Sequence, residues 1–275
     1  MTEARPDYDP SAPAYRETAP PPPLARHLVC TWSRIVGPAG PGRAQRILPD
    51  GCADIIWIGD SDPVIVGPAT RVAVARLAPG TVVVGARLRP GTAPALLDFP
   101  ADLILDGTAP LRESWGGETD RLSDAIRQAT GAEARRRVLE RLLIGRVAAA
   151  PSPDRAMTAA AEWLARIPQG QVREARLATG LSERQFHRRF RAAVGYAPKT
   201  FQRIARFQRL LALAERWGAG NLADLAAASG YADQAHMTRE IRRLSGRTPT
   251  ALLTRARSTL GLGDPLDGLR DRAAG

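Results

Sequence analysis

The chain has 275 residues, with 39 Lys+Arg against 28 Asp+Glu and a formal net charge of +11. That length suits about one to two domains with real cores. Its composition, 44% hydrophobic and 24% charged, describes a globular protein. No apolar stretch approaches the ~18–20 residues of a membrane span, and the acidic, Pro-rich start lacks the layout of a secretory signal. Two cysteines exclude a disulfide framework, so a cytoplasmic setting is expected. Only His27, His187 and His236 could offer imidazole, which disfavours a multi-histidine metal enzyme, and no cofactor or metal is expected.

Along the chain, the first ~25 residues, with Pro20 to Pro23, read as an irregular or polyproline lead-in. Seventeen of the 23 prolines fall in the first 110 residues, a density hostile to helix interiors. Between them lie β-like runs at 28–35, 53–58, 64–66, 72–77 and 81–88, separated by turn signals such as Pro49-Asp50-Gly51 and Pro79-Gly80. They predict a small antiparallel sheet or barrel. His27 and Cys30 form an H-x-x-C, with Cys52 beyond, but both thiols read as small buried hydrophobes. Trp32, Asp50, Asp54, Trp57 and Arg87 are the candidates for a small-molecule pocket, since aromatic walls with a few polar groups describe such sites. The competing reading makes the tryptophans core and the charges turn caps.

From about Asp98 the pattern turns helical, with Leu122, Ile126 and Ala129 on one helix and Val138, Leu142 and Leu143 on the next. Helices over 118–147 are expected chiefly to cover the sheet, with a smaller part available to a second copy. Residues 148–153 read as a linker, so domains are expected at 1–150 and 151–257, with a weakly ordered tail at 258–275.

Beyond the linker the charge becomes uneven. Residues 171–257 hold 17 Lys+Arg and 6 Asp+Glu, a net of +11, so the rest of the chain nets to zero. A focused basic segment is the footprint of a polyanion binder. The same segment repeats itself: Val172 to Gly180 resembles Leu222 to Gly230, and Arg188, Arg191, Gly195 and Pro198 fall opposite Arg239, Arg242, Gly246 and Pro249. Small or apolar residues three apart, then Gly, then a polar cap, is the layout of a helix-turn-helix. Gly180 and Gly230 close each first helix, while Ser182 and Asp233 cap each second one. Phe186, Phe190 and Val194 in one second helix, and Met237, Ile241 and Leu244 in the other, recur at core spacing.

The opposite faces carry Arg184, His187, Arg188 and Arg191, and Gln234, Ala235, Thr238, Arg239 and Arg242. Such a helix fits a major groove about 12 Å wide, where Arg suits guanine, Gln suits adenine, and Thr or Ala suits a thymine methyl. A phosphate contact is the alternative for any one of them. A helix over 199–217, about 28 Å long, would hold the two units in successive grooves about 34 Å apart.

These features resemble the AraC/XylS-type transcriptional regulators, most strongly over 154–257. The specific carrier is the string from Leu225 to Pro249, through Gly230-Tyr231, Arg239 and Gly246-x-x-Pro249, with Ile241 where the family usually has Phe. The resemblance implies a bipartite seven-helix domain on asymmetric promoter sites. It also implies base-reading slots at Arg184, His187 and Arg188, and at Gln234, Ala235, Thr238 and Arg239. Leu48-Pro-Asp-Gly51, Asp54-Ile-Ile-Trp57 and Gly85 to Pro90 are similar to sensor domains of actinobacterial-type regulators, implying a β-rich, cupin-like fold.

The expected fold is therefore α+β: an N-terminal antiparallel β domain with helices, then an all-α domain of two helix-turn-helix units joined by a long helix. The expected function is sequence-specific regulation of transcription from double-stranded promoter DNA, on the nucleoid. A small-molecule effector or a second protomer is expected at the N-terminal domain, and RNA polymerase would be a partner of an activator. A different class, a DNA alkyl-transfer repair enzyme, would need an activated thiolate at Cys30 or Cys52.

Overall fold

The computed structural model describes residues 15–37, 45–167, 170–218 and 221–253. The start of the lead-in, residues 254–257 and the tail expected at 258–275 lie outside the described residues.

The N-terminal half is an antiparallel sheet whose longer strands follow the β-like runs of the sequence. Strands β1 (Tyr15–Thr18), β2 (Leu28–Ile35), β3 (Gln45–Ile47), β4 (Ala53–Ile58), β5 (Val64–Val66), β6 (Ala73–Ala75), β7 (Val82–Leu88) and β8 (Thr108–Pro110) come in that order. Six form one open sheet in the order β1-β2-β7-β4-β5-β8, and β3 with β6 makes a separate two-stranded ribbon. The barrel expectation is corrected here. Among the described residues β1 and β8 each pair on one side only, so the sheet has two edges and does not close.

Register assigns every side chain to a face. Cys30 pairs with Arg87 and Arg87 with Asp54; Glu17 pairs with Trp32, Trp32 with Gly85 and Gly85 with Ile56. These rows share one face, because paired residues point the same way and neighbours alternate. Ile55, Trp57, Val84, Ala86 and Leu88 point to the other, where they meet helices α1 (Ala93–Leu97), α2 (Arg112–Trp115), α3 (Glu118–Gln128) and α4 (Ala132–Ala149) in one core. Buried Thr31 fixes α4 to that face by donating to Glu140 at 2.7 Å and accepting from Arg136 at 2.8 Å. The apolar stripes of α3 and α4, through Leu122, Ile126, Val138, Leu139 and Leu143, thus cover their own chain's sheet.

Helices α5 (Arg155–Arg166), α6 (Val172–Leu177), α7 (Glu183–Val194), α8 (Pro198–Trp217), α9 (Leu222–Ser229) and α10 (Gln234–Ser245) build the C-terminal half. The carboxylate of Asp154 starts α5 by accepting from the amides of Ala156 and Met157 at 3.1 and 3.3 Å. Their core runs through Met157, Phe186, Phe190, Phe201, Phe207, Met237 and Ile241, and it also takes in Leu48 of the N-terminal half. The halves therefore share packing. Tyr196 donates to the carbonyl of Ala69 at 2.9 Å, and a Cβ on Gly195 would stand 2.7 Å from Pro68.

Candidate nucleic-acid interface and effector face

Helices α6 and α7 form one helix-turn-helix, and α9 and α10 the second. Gly180 (φ +69°) and Gly230 (φ +89°) close the first helix of each in the left-handed conformation that glycine reaches without strain. Ser182 Oγ accepts from the amide of Gln185 at 3.4 Å while the Gln185 carboxamide accepts from the amide of Ser182 at 3.2 Å, a reciprocal capping box. Asp233 Oδ1 accepts from the amide of His236 at 2.6 Å. With the caps fixing the helix starts, Phe186, Phe190 and Val194 turn inward on α7, as do Met237, Ile241 and Leu244 on α10.

The expected reading residues then face outward. Arg184, Arg188, Arg191, Gln234, Ala235, Arg239 and Arg242 are exposed, and His187 and Thr238 are half-buried. Thr238 donates its hydroxyl to the carbonyl of Gln234 at 2.8 Å. Arg191 differs from the rest, with its guanidinium 3.7 Å from Asp102 of the N-terminal half. Helix α8 has 20 residues, about 30 Å of rise, and holds both units. Buried Gln202 donates to the carbonyl of Gly170 at 2.5 Å beside the first unit. Arg203 pairs with Glu240 at 2.5 Å, and Arg209 donates to the carbonyl of Ala228 at 2.9 Å, at the second.

On the face of the sheet away from α1–α4, the register rows place a charged cluster at Arg87. Arg87 Nη1 donates to Glu17 at 2.7 Å, and its Nε lies 3.1 Å from Asp50 and 3.6 Å from Asp54. Trp32 Nε1 donates to Asp54 at 2.8 Å. A Cβ on Gly85 would stand 2.4 Å from the Trp32 indole, so glycine is what lets that ring lie across the strand. One buried guanidinium here serves three carboxylates. Burial raises the Asp50 carboxyl above its ordinary value and moves Asp54 up to about 6, against the pull of Arg87.

Four of the five expected pocket residues, Trp32, Asp50, Asp54 and Arg87, thus come together. Trp57 does not. It points to the helix-covered face and is 1% exposed in that core. Residues missing from the sequence reading are Glu17, which bonds Arg87, and Tyr15, whose ring lies 5.9 Å from Trp32. Arg34, paired with Tyr15 and on the same face, has a buried Nε without a hydrogen-bond partner among the described residues. Cys30 and Cys52 are buried, and burial raises both thiols well above their ordinary value. That opposes the thiolate an alkyl-transfer enzyme needs, so the repair reading is not favoured. Among the described residues no helix is long and apolar enough to cross a membrane.

Two helix-turn-helix units with outward arginines on one shared strut define a DNA-binding protein. The comparisons agree: residues 177–255 match the helix-turn-helix domain family, and residues 16–110 match a domain of unknown function, DUF6597. The C-terminal part of the chain is thus a helix-turn-helix domain. No curated protein matches it. Among solved structures, ToxT from Vibrio cholerae O395 is similar at 8% identity and a TM-score of 0.45, covering 90% of this chain and 99% of that one. The same protein bound to (E)-4-(8-methylnaphthalen-1-yl)but-3-enoic acid is similar at 10% identity and a TM-score of 0.44, covering 78% and 98%.

Proposed function

We propose that this chain is a transcription regulator of the AraC type that reads an asymmetric promoter site with α7 and α10 in successive major grooves. Arg184, His187 and Arg188 would meet bases in one half of the site, and Gln234, Ala235, Thr238 and Arg239 in the other. Arg191 and Arg242 would neutralise phosphates and set register. The observation that carries this reading is the free, outward state of Arg184, Arg188, Arg239 and Arg242, whose side chains make no hydrogen bond or ion pair among the described residues. Such charge is unspent within the fold and suits a polyanion.

The face around Trp32, Asp50, Asp54 and Arg87, with Tyr15 and Glu17, is the effector site of the same proposal. It combines aromatic surface with converging polar groups and perturbed carboxyls, the features of a small-molecule site. The domain boundaries expected at residues 150 and 257 and a cytoplasmic, nucleoid setting belong to this reading, as does the lack of an enzymatic activity. An activator of this kind would also engage RNA polymerase; pairing with a second copy belongs to the same reading, and whether the operator carries one site or two tests the pairing.

Selection from a pool of randomised duplexes, using the full chain, tests the core of the proposal. A two-part motif is expected, with Arg188→Ala relaxing one part and Arg239→Ala the other. Equal binding to every duplex by the parent and both variants would overturn it.

A further inference from the structure

The turn at residues 48–52 belongs to two structures at once. Its side chain at Asp50 reaches the cluster on the sheet, 3.1 Å from Arg87. Its backbone reaches α8. Buried Gln208 donates to the carbonyl of Pro49 at 2.5 Å, and Leu48 sits inside the C-terminal core. Gly51, at φ +87°, has its Cα hydrogen aimed at Phe201, where an added Cβ would stand 3.0 Å from the ring and 3.9 Å from Ile204. Phe201, Ile204 and Gln208 form one stripe of α8, at spacings of three and four.

This turn is built to transmit displacement and not to absorb it. Pro49 fixes one torsion, Gly51 holds a conformation that other residues rarely adopt, and Asp50 Oδ1 accepts from the amide of Cys52 at 2.9 Å to close an Asx-type turn. The stripe it touches lies among the residues that hold both helix-turn-helix units to α8, namely Gln202, Arg203 and Arg209. A shift of α8 against the sheet therefore reaches both reading helices through packed, bonded side chains.

We propose that the 48–52 turn couples the state of the Arg87–Asp50 pair on the sheet face to the position of α8, and so to the relative setting of α7 and α10. It deepens the effector reading above and rests on that face being the regulated one. A molecule that draws Arg87 away from Asp50 would release the turn, and a change in α8 would be felt in return at the cluster, since coupling between sites is reciprocal.

Two measurements on the full chain test it without DNA or an effector, so they stay readable even if no operator or effector exists. In hydrogen exchange, Asp50→Asn should speed the amides of residues 199–211 about tenfold, while Thr31→Val, which loosens the sheet on its other face, should leave them at the parent rate. In the reverse direction, Gln208→Met should shift the indole N–H resonance of Trp32, and Gln202→Met, on the same helix but bonded to Gly170, should not. Should Asp50→Asn fail to fold, the resonance measurement decides alone. Equal exchange in Asp50→Asn and Thr31→Val, or a Trp32 resonance indifferent to Gln208 or equally sensitive to Gln202, would overturn the proposal.

Discussion

The indole of Trp32 lies across Gly85 of the neighbouring strand, where a Cβ would come within 2.4 Å of the ring, and its Nε1 donates to Asp54 at 2.8 Å. An aromatic ring laid flat in this way forms a surface that links the Arg87 cluster to the apolar residues beside it. Gly85→Ala should force the ring off the strand and cost about 1–3 kcal/mol, as overpacking of a closed site does. Thermal melts and the intrinsic fluorescence of the variant check this, the expected result being a lower Tm with a shifted emission.

Acid titration should single out Asp54. Its folded value, about 6, lies above the ordinary 3.8, so the folded chain binds more protons than the unfolded one between those values. The stability contribution of Asp54 is then present at low pH and lost as pH rises through about 6, the reverse of a salt-bridged carboxylate of depressed pKa. Relative to Asp54→Asn, the parent should gain on the order of 2 kcal/mol on going from pH 7 to pH 4. Denaturant melts of both proteins across that range give the difference directly, and a flat difference contradicts it.

The caps of the reading helices should be separable from their reading residues. Ser182→Ala and Asp233→Ala each remove a side-chain acceptor for a helix-starting amide and should cost about 1 kcal/mol of stability. Neither changes a base-reading side chain, so the preferred duplex should stay the same while melts move down.

Arg188→Ala and Arg239→Ala should each weaken binding to the preferred duplex by about 1–3 kcal/mol and relax one base preference. Arg191 starts from a pair with Asp102 at 3.7 Å, so Asp102→Asn should free it and tighten binding to any duplex at low salt. Titrations at two salt concentrations separate the cases, because a phosphate contact alters the salt slope and a base contact alters the preference.

The helix-turn-helix units were legible because their determinants are local. Glycines at the turns, caps two or three residues later and a four-residue apolar recurrence all lie within a short stretch, and the structure places Gly180, Ser182 and Phe186 accordingly. Longer strands were legible for the same reason, and β2 and β4 span the β-like runs that the turn signals bound. Strands β1, β3 and β8, of four, three and three residues, were not, since their pairing depends on partners elsewhere in the chain and Pro110 argues against a strand.

The effector face was half-legible. Trp57 was grouped with Asp54 although three positions along a strand put them on opposite faces, a parity present in the sequence itself. Glu17 could not be found that way, because it reaches Arg87 from an edge strand 70 residues away. The contacts of Leu48 and Pro49 with the C-terminal half, and of Asp102 with Arg191, are long-range products of packing that no local pattern announces.

The central claim is that α7 and α10 occupy neighbouring turns of one DNA duplex. Hydroxyl-radical footprinting of the full chain on its selected duplex tests this most directly. Two protected patches on the same face, about 10 base pairs apart from centre to centre, are predicted. A single patch, patches on opposite faces, or uniform protection along the duplex would contradict it.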